Sequence, residues 1–179
     1  STVRAAALVN AAGLDADGIA ALPGLDVRAA GYEQRFVKGS YFRLRRAVAL
    51  PHLIYPVPAP GLAGLGVHVT LELDGAVRLG PDVEPLPDRR RDYGVDEGRR
   101  PAFHRAVSRY LDGVAEDDLL PDTAGIRPRL AAFAGPSPDF IVAHEADRGL
   151  SGWVNLVGIE SPGLTCALEL AREVEQLLP

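Results

Sequence analysis

The sequence has no methionine and only one cysteine, Cys166, in 179 residues. A single cysteine excludes an internal disulfide, and the four histidines have no spacing typical of a structural zinc site, so no metal is expected. Cysteine use of this kind is typical of a reducing compartment. Cys166 lies in a helical pattern, where packing is a commoner role for it than nucleophilic attack.

Long apolar runs are also missing. None approaches the roughly 20 residues that span a bilayer, and the first residues lack the basic-then-apolar order of a signal peptide. With 19 Lys and Arg against 24 Asp and Glu, the net charge is −5, which argues against a nucleic-acid partner. We therefore expect a cytoplasmic protein with no transmembrane segment, or one that is peripheral to the membrane.

The composition that is present, 47% hydrophobic and 24% charged, is that of a globular chain with one core. An apolar run at residues 5–12 predicts a buried strand that leaves its sheet at Gly13. Because the chain starts almost directly in this core element, we expect it to be a fragment, a processed product or one chain of a split protein.

The clearest local pattern is "GVHVTLELDGAVRLGP", in which apolar and polar residues alternate up to a typical hairpin dipeptide, Asp74-Gly75. The alternation predicts an antiparallel pair with one packed face and one polar face. The packed face comprises Val67, Val69, Leu71 and Leu73, and the polar face carries His68 and Thr70.

The rest of the chain predicts an α+β fold, in which an antiparallel sheet is inserted between two ends that form an α/β layer. Pro23-Gly24 ends a short helix, and the strand around Lys38 is expected to bend at Gly39. The predicted elements are a helix at 14–22, a strand at 35–44, an extended edge at 53–60, a helix at 101–111, a strand at 123–133 and two strands within 139–159.

The chain closes on "VNLVGIESPGLTCALELAREVEQLL", which predicts a strand followed by a helix. Ser161 is expected to cap this helix, with Pro162 at its first position, and "GIESPG" lacks the pattern of a nucleophilic serine. The N-terminus of such a helix favours negative charge. The expected inward stripe is Leu164, Leu168, Ala171, Val174 and Leu178.

Two side chains could carry chemistry. His68 can act as a general base or donate a hydrogen bond to a substrate, although a hydrogen-bonded histidine on a sheet surface has the same pattern. Arg127 lies between Ile126 and Pro128 on constrained backbone, which suits capture of a carboxylate, although an ordinary salt bridge is the alternative.

A series of motifs occurs in order along the chain: "VNAAG", "KGSYF", "LIYPVP", "GLGVHVT", "LGPD", "GIRP" and "NLVGIESPGLTCAL". Together they resemble the C-terminal half of FAD-dependent oxidoreductases of the D-amino-acid-oxidase superfamily, in particular its L-2-hydroxyglutarate dehydrogenase/oxidase branch. The resemblance implies that residues 1–34 end an FAD-binding domain of Rossmann-like type. It also implies that 35–145 form a substrate-binding domain and that 146–179 return to the FAD-binding domain.

The resemblance implies a substrate site. His68 matches the position that faces the substrate above the flavin ring, Arg127 resembles the arginine that binds the substrate carboxylate, and Tyr55 and Thr70 are further substrate contacts. The implied reaction is oxidation of a small 2-hydroxy acid such as L-2-hydroxyglutarate. Arg127 would hold the carboxylate and His68 would accept the hydroxyl proton, while the α-hydrogen passes to flavin as hydride.

The resemblance also implies two groups of FAD contacts. One follows the first strand and crosses into the substrate domain, and the other is the closing turn and helix start, expected at the flavin pyrimidine edge. The residues are Gly13, Lys38, Gly39, Gly158, Ile159, Glu160, Ser161, Gly163, Leu164 and Thr165.

The sequence departs from the family in one large respect. Members open with a strand and a G-x-G-x-x-G turn that binds the pyrophosphate, whereas the nearest candidate here, "GLAGLG", precedes a strand. FAD binding is therefore expected to require a nucleotide-binding N-terminal half, in the same polypeptide or in a partner chain. Alone, the chain is expected to be inactive and to self-associate through exposed strand edges. Two alternatives remain open: an amino-acid or amine oxidase of the same superfamily, and a flavin-free binding module.

Overall fold

The computed structural model describes residues 2–57, 66–131 and 139–178. The predicted residues 58–60 and 132–133 lie outside these ranges. The helices and strands of the described residues are β1 (Leu8–Asn10), α1 (Ala16–Ala21), β2 (Gln34–Leu44), β3 (His68–Leu71), β4 (Val77–Gly80), β5 (Glu84–Pro85), α2 (Arg100–Val107), β6 (Leu119–Leu130), β7 (Ile141–His144), β8 (Trp153–Val157) and α3 (Ala167–Leu177).

The chain divides into two compact units. The first unit comprises Ser1–Phe36 with Arg127–Pro179, and the second unit comprises Val37–Ile126. Each unit has its own hydrophobic core and its own sheet pairings. The predicted α+β class is confirmed, whereas the assignment of the segments to FAD-binding and substrate-binding domains stays a prediction.

The first unit contains a three-stranded sheet in the order β1-β8-β7. β1 is parallel to β8, with Val9 opposite Val154, and β7 is antiparallel to β8. The predicted strand pair within 139–159 and the predicted helix after Gly13 are confirmed. The prediction of a buried first strand is wrong for Leu8 and Val9, which are exposed because β8 is the only strand beside β1 among the described residues.

Alternation along β8 gives the first unit a cluster on each face of this sheet. On one face, Val157 packs with Ala16 and Ala20 of α1. On the other face, Val154 packs with Val174 of α3. β8 is therefore covered on both sides, which explains why its residues other than Asn155 are apolar.

The predicted start of the closing helix is wrong. Ser161 is not its cap, because α3 begins at Ala167 and residues 161–166 form consecutive turns. In these turns the Gly163 N–H donates to the Glu160 carbonyl oxygen, and the Cys166 N–H donates to that of Pro162.

The predicted apolar stripe shifts with the helix. Leu164 and Leu168 are 94% and 78% exposed, so neither side chain packs inward. Val174 is buried, and Leu177 and Leu178 pack against its cluster. The inward face of α3 is therefore set by its last two turns.

The second unit contains the predicted hairpin, in which Val69 of β3 lies opposite Leu79 of β4. The hairpin turn has Gly75 at φ +82°, and the Gly75 N–H donates to the Glu72 carbonyl. Leu73 was expected on the packed face, but it is fully exposed because β3 ends at Leu71 and Leu73 belongs to the turn.

The sheet of the second unit has the order β3-β4-β2-β5, and β6 also pairs with β2. β2 continues through Gly39 without a break. The core joins this sheet to α2, and within it the rings of Phe42 and Phe103 pack together with centroids 4.7 Å apart. The buried residues of α2 are Phe103 and Val107, and the helix ends at Val107 rather than at the predicted residue 111.

Neither unit contains a helix that combines the length and apolarity of a membrane span, as far as the described residues show. The same residues include no group of three or more His, Cys, Asp or Glu side chains arranged to hold a metal ion.

Candidate functional site

The turn after β1 leaves open backbone at Gly13. This glycine has φ +57°, and no atom lies within 4 Å of the position that a Cβ would take. Asn10 supports the turn, because its side-chain Nδ2 donates to the Ala16 carbonyl at 2.8 Å and its Oδ1 accepts from the Ala12 N–H at 3.3 Å. A ligand can therefore approach the main chain here without meeting a side chain.

The turn after β8 begins at Gly158, which has φ +73°. A Cβ at this position would lie 2.7 Å from Cγ of Leu130, so the site has no room for a side chain. Because β1 and β8 are parallel neighbours, Gly13 and Gly158 follow the carboxyl ends of adjacent strands. Sheets of this kind bind ligands outside those ends.

The turn continues to Gly163, where a Cβ would collide with the Ile159 side chain and the Glu160 carbonyl oxygen. Ile159 is partly buried and packs against the α3 cluster. The Glu160 carboxylate accepts two hydrogen bonds from Arg129, at 3.1 and 3.0 Å. Ser161, Leu164 and Thr165 are exposed.

Arg127 and Arg129 occupy alternate positions of β6, so they project to the same side of the strand. Arg129 is bound to Glu160, whereas Nη1 of Arg127 is buried and has no hydrogen-bond partner among the residues described. A buried guanidinium nitrogen without a partner costs free energy. The described residues therefore leave the donors on Nη1 of Arg127 unused.

The second unit places His68 at the first position of β3. Its Nδ1 lies 3.1 Å from the Gly66 carbonyl oxygen, which can only accept, so Nδ1 carries the proton in the neutral ring. The lone pair of the neutral ring is then on Nε2, where it can accept a proton.

Tyr55 stacks on His68, with ring centroids 4.3 Å apart and an angle of 18° between the planes. The preceding residue, Ile54, forms a β-bridge with Val69, and the Val69 N–H donates to its carbonyl at 2.9 Å. This bridge brings Tyr55 beside the imidazole. The structure thus brings together two of the predicted substrate residues.

Thr70 shares the face of His68 in β3 and lies opposite Arg78 of β4. Arg78 is ion-paired with Glu72 at 2.9 Å and with Asp122 at 2.5 Å. The guanidinium opposite Thr70 is therefore already engaged by two carboxylates.

Lys38 and Gly39 are both buried in β2. Nζ of Lys38 lies 3.0 Å from the Asp92 carboxylate. The Gly94 N–H and then Lys38 hold the pKa of Asp92 below its usual value. Lys38 is thus a buried cation paired with an exposed carboxylate.

Two residues that bond to the turns of the site were not predicted from the sequence. Gln34 bonds to the turns at Gly13 and Gly158, and Arg129 binds Glu160. Gln34 and Phe36 are two positions apart in β2 and are both buried. A polar residue on the same strand face as Phe36 was therefore the feature of the sequence that could have identified Gln34. Arg129 could have been found by its spacing of two from Arg127.

Comparison with known proteins identifies the family of this chain. The model of the DAO family of FAD-dependent oxidoreductases matches residues 1–177. The chain therefore belongs to this family, as the motifs predicted, and FAD is the cofactor of the family.

Among the relatives, the mitochondrial L-2-hydroxyglutarate dehydrogenase of Arabidopsis thaliana is 39% identical over 178 residues, covering 93% of this chain and 36% of that protein. The L-2-hydroxyglutarate dehydrogenase of Escherichia coli K12 is 39% identical over 205 residues, covering 96% of this chain and 47% of that protein.

A solved structure, the dithionite-reduced L-α-glycerophosphate oxidase of Mycoplasma pneumoniae with FAD bound, aligns with a TM-score of 0.76 at 28% identity. It covers 95% of this chain and 42% of that one. The chain thus spans less than half the length of each of these three proteins.

The described residues fit a flavin cofactor. In the first unit, Gly13 offers open backbone and Gly158 admits no side chain, and both follow the carboxyl ends of parallel neighbours. Open backbone such as that at Gly13 lets main chain approach a dinucleotide closely, whereas at Gly158 the missing side chain makes room for Leu130.

Proposed function

We propose that this chain is part of an FAD-dependent oxidoreductase that oxidises a small 2-hydroxy acid, such as L-2-hydroxyglutarate. The relatives named L-2-hydroxyglutarate dehydrogenases support the substrate class. The observation that carries the reaction is the orientation of His68, whose Nδ1 contact with Gly66 leaves the Nε2 lone pair free to accept a hydroxyl proton.

Arg127 binds the substrate carboxylate in this proposal. Its buried Nη1 has no partner in the described ranges, and a carboxylate would supply one. The guanidinium would hold the acid at one end and so orient its hydroxyl group for proton transfer.

The turns at Gly13 and Gly158, with Lys38 and Gly39 of β2, would hold the cofactor. FAD supplies the hydride acceptor when bound. In this proposal the chain binds and orients the 2-hydroxy acid and FAD, and Nε2 of His68 takes the hydroxyl proton.

The proposal is tested by following flavin reduction in the complete protein. We expect L-2-hydroxyglutarate to reduce the bound flavin, and His68→Ala to slow that step by about 100-fold or more. His52→Ala is the matched control, because His52 is exposed. An unchanged rate in His68→Ala would overturn the role of the base, and a protein without flavin would favour a flavin-free binding module.

A second candidate substrate is a hydroxyl compound that carries a phosphate. The solved relative is an L-α-glycerophosphate oxidase, and a glycerol 3-phosphate dehydrogenase of Caloramator mitchellensis is 29% identical over 143 residues. Arg127 could bind a phosphate as well as a carboxylate. Comparing kcat/KM for glycerol 3-phosphate with that for L-2-hydroxyglutarate distinguishes the two.

We also propose that a nucleotide-binding segment, in the same polypeptide or in a partner chain, packs on the first unit. β1 has an unpaired edge among the described residues, and Leu8, Val9, Leu164 and Leu168 are exposed. Exposed strand edges and apolar side chains are typical of surfaces that another segment covers. Size-exclusion chromatography of this chain, with and without such a segment, tests this, and self-association is the alternative outcome.

A further inference from the structure

The side chain of Gln34 makes hydrogen bonds to three separate segments of the first unit and is only 3% exposed. In the amide orientation that satisfies its neighbours, Oε1 accepts from the Gly158 N–H at 3.0 Å. Nε2 donates to the Gly13 carbonyl oxygen at 3.2 Å and to Oδ1 of Asp17 at 3.3 Å. One amide therefore links the turn after β1 to the turn after β8.

Asp17 fixes the orientation of that amide. Its buried carboxylate can only accept, so the NH₂ group of Gln34 must face it and the oxygen must face Gly158. Asp17 also accepts from the N–H groups of Gly18 at 2.8 Å and of Gln34 at 3.1 Å. The amide is thus held from both sides.

Glutamine suits this position because one end of its side chain carries both a donor and an acceptor. An ionised glutamate could still accept from Gly158, but it would place negative charge against Asp17 and the Gly13 carbonyl. A methionine would fill the same volume and satisfy neither turn.

We propose that Gln34 is a positioning residue that sets the spacing between the Gly13 and Gly158 turns and, through that spacing, the affinity for FAD. This inference rests on the proposed function, because these two turns are the ones assigned to the cofactor. Gln34 acts through the main chain of both turns, because its amide bonds to the Gly13 carbonyl oxygen and to the Gly158 N–H.

The test is the dissociation constant of FAD, measured by fluorescence titration of the complete apoprotein. We expect Gln34→Glu to raise that constant about tenfold near neutral pH, because the buried bonds to Gly13 and Asp17 are lost. The defect should shrink as the pH falls, since a protonated carboxyl group regains a donor and both burial and Asp17 favour that form. Gln34→Met should show the defect without the pH dependence.

Gln176→Glu is the matched control, because it makes the same change on the exposed side of α3 and should leave FAD binding unchanged. Gln34→Glu protein that binds FAD as tightly as the wild type would overturn the inference and leave the proposed function intact. Wild-type protein that binds no FAD would overturn the proposed function, and the inference with it.

A measurement on the wild type decides the matter if the variants do not fold. The Gly158 amide should exchange its hydrogen at least about 100-fold more slowly than that of the exposed turn residue Gly113, and more slowly still with FAD. Exchange as fast as at Gly113, or exchange that FAD does not slow, would contradict the role given to Gln34.

Discussion

Arg129 holds Glu160 through two parallel hydrogen bonds, from Nε at 3.1 Å and from Nη2 at 3.0 Å. The side chains are 24% and 12% exposed, so solvent screens this pair only in part. Because Arg129 lies in β6 and Glu160 lies in the turn after β8, the pair fixes that turn to β6. A bidentate pair of this kind is stronger than a single charged contact.

Replacing Arg129 with glutamine should destabilise the protein by about 2 kcal/mol, because Glu160 loses both of these bonds in a shielded position. Denaturant unfolding measures the change. Arg172→Gln is the control, since its pair with Glu169 is 67% and 71% exposed and should contribute less than about 1 kcal/mol. Equal losses in the two variants would show that the turn does not depend on Arg129.

Tyr55→Ala should lower kcat of the complete enzyme about tenfold, because His68 loses the ring that orients it. Tyr55→Phe should restore the rate, since a phenyl ring can stack in the same way. Tyr93→Ala is the control, because Tyr93 and Tyr55 are equally exposed, at 51%. A rise in KM with unchanged kcat would instead indicate that Tyr55 contacts the substrate.

Local patterns were enough to predict the parts of the fold that depend on neighbours in sequence. The hairpin of β3 and β4 follows from period-two alternation and Asp74-Gly75, and α1 ends just before Pro23-Gly24. The start of α3 could not be found in this way. A serine followed by proline is typical of a helix start, but here the backbone bonds of residues 161–166 close turns instead.

Contacts between side chains that are distant in sequence were harder to predict. Arg129 and Glu160 are 31 residues apart, and Tyr32 and Glu145 are 113 apart. Only the fold places these side chains together. His68 and Arg127 were found because strand alternation and an adjacent proline gave local signals.

Glu145 should link the stability of the protein to acid pH. It is fully buried, and burial raises the pKa of its carboxyl group, but hydrogen bonds from Asn155, Tyr32 and Arg148 outweigh burial and lower it below 4.5. A lowered pKa in the folded state adds stability that is present above pH 4.5 and is lost as the pH falls through the folded value.

Glu145→Gln should therefore unfold more easily at neutral pH, by about 2 kcal/mol, because the charged hydrogen bond from Arg148, which is itself 45% exposed, is lost. Its stability should also fall less steeply with acid than that of the wild type. Urea unfolding at several pH values measures both effects, with the exposed Glu175→Gln as control. A variant with the same acid dependence as the wild type would show that Glu145 is not the linked group.

Tyr110 should give a corresponding dependence at alkaline pH. Burial raises its pKa to about 12, and its hydroxyl group donates to the Val67 carbonyl at 2.8 Å. Because the folded value lies above the ordinary 10.0, the stabilisation is complete below pH 10 and is lost as the pH rises towards about 12.

Tyr110→Phe should lose about 1 kcal/mol of stability at neutral pH with the hydrogen bond, and its stability should decline less steeply above pH 10. Burial and the bond to Glu145 also raise the pKa of Tyr32 to about 12. Tyr32 therefore still ionises at high pH in the Tyr110→Phe variant. Phenolate absorbance should therefore show one ionisation fewer near pH 12 in Tyr110→Phe than in the wild type, and the exposed Tyr93→Phe is the control for stability. Unfolding above pH 10 allows the Tyr110 phenol to ionise, so the wild type should lose stability more steeply than Tyr110→Phe. If the two proteins lost stability in parallel above pH 10, the Tyr110 hydroxyl group would not be linked to folding.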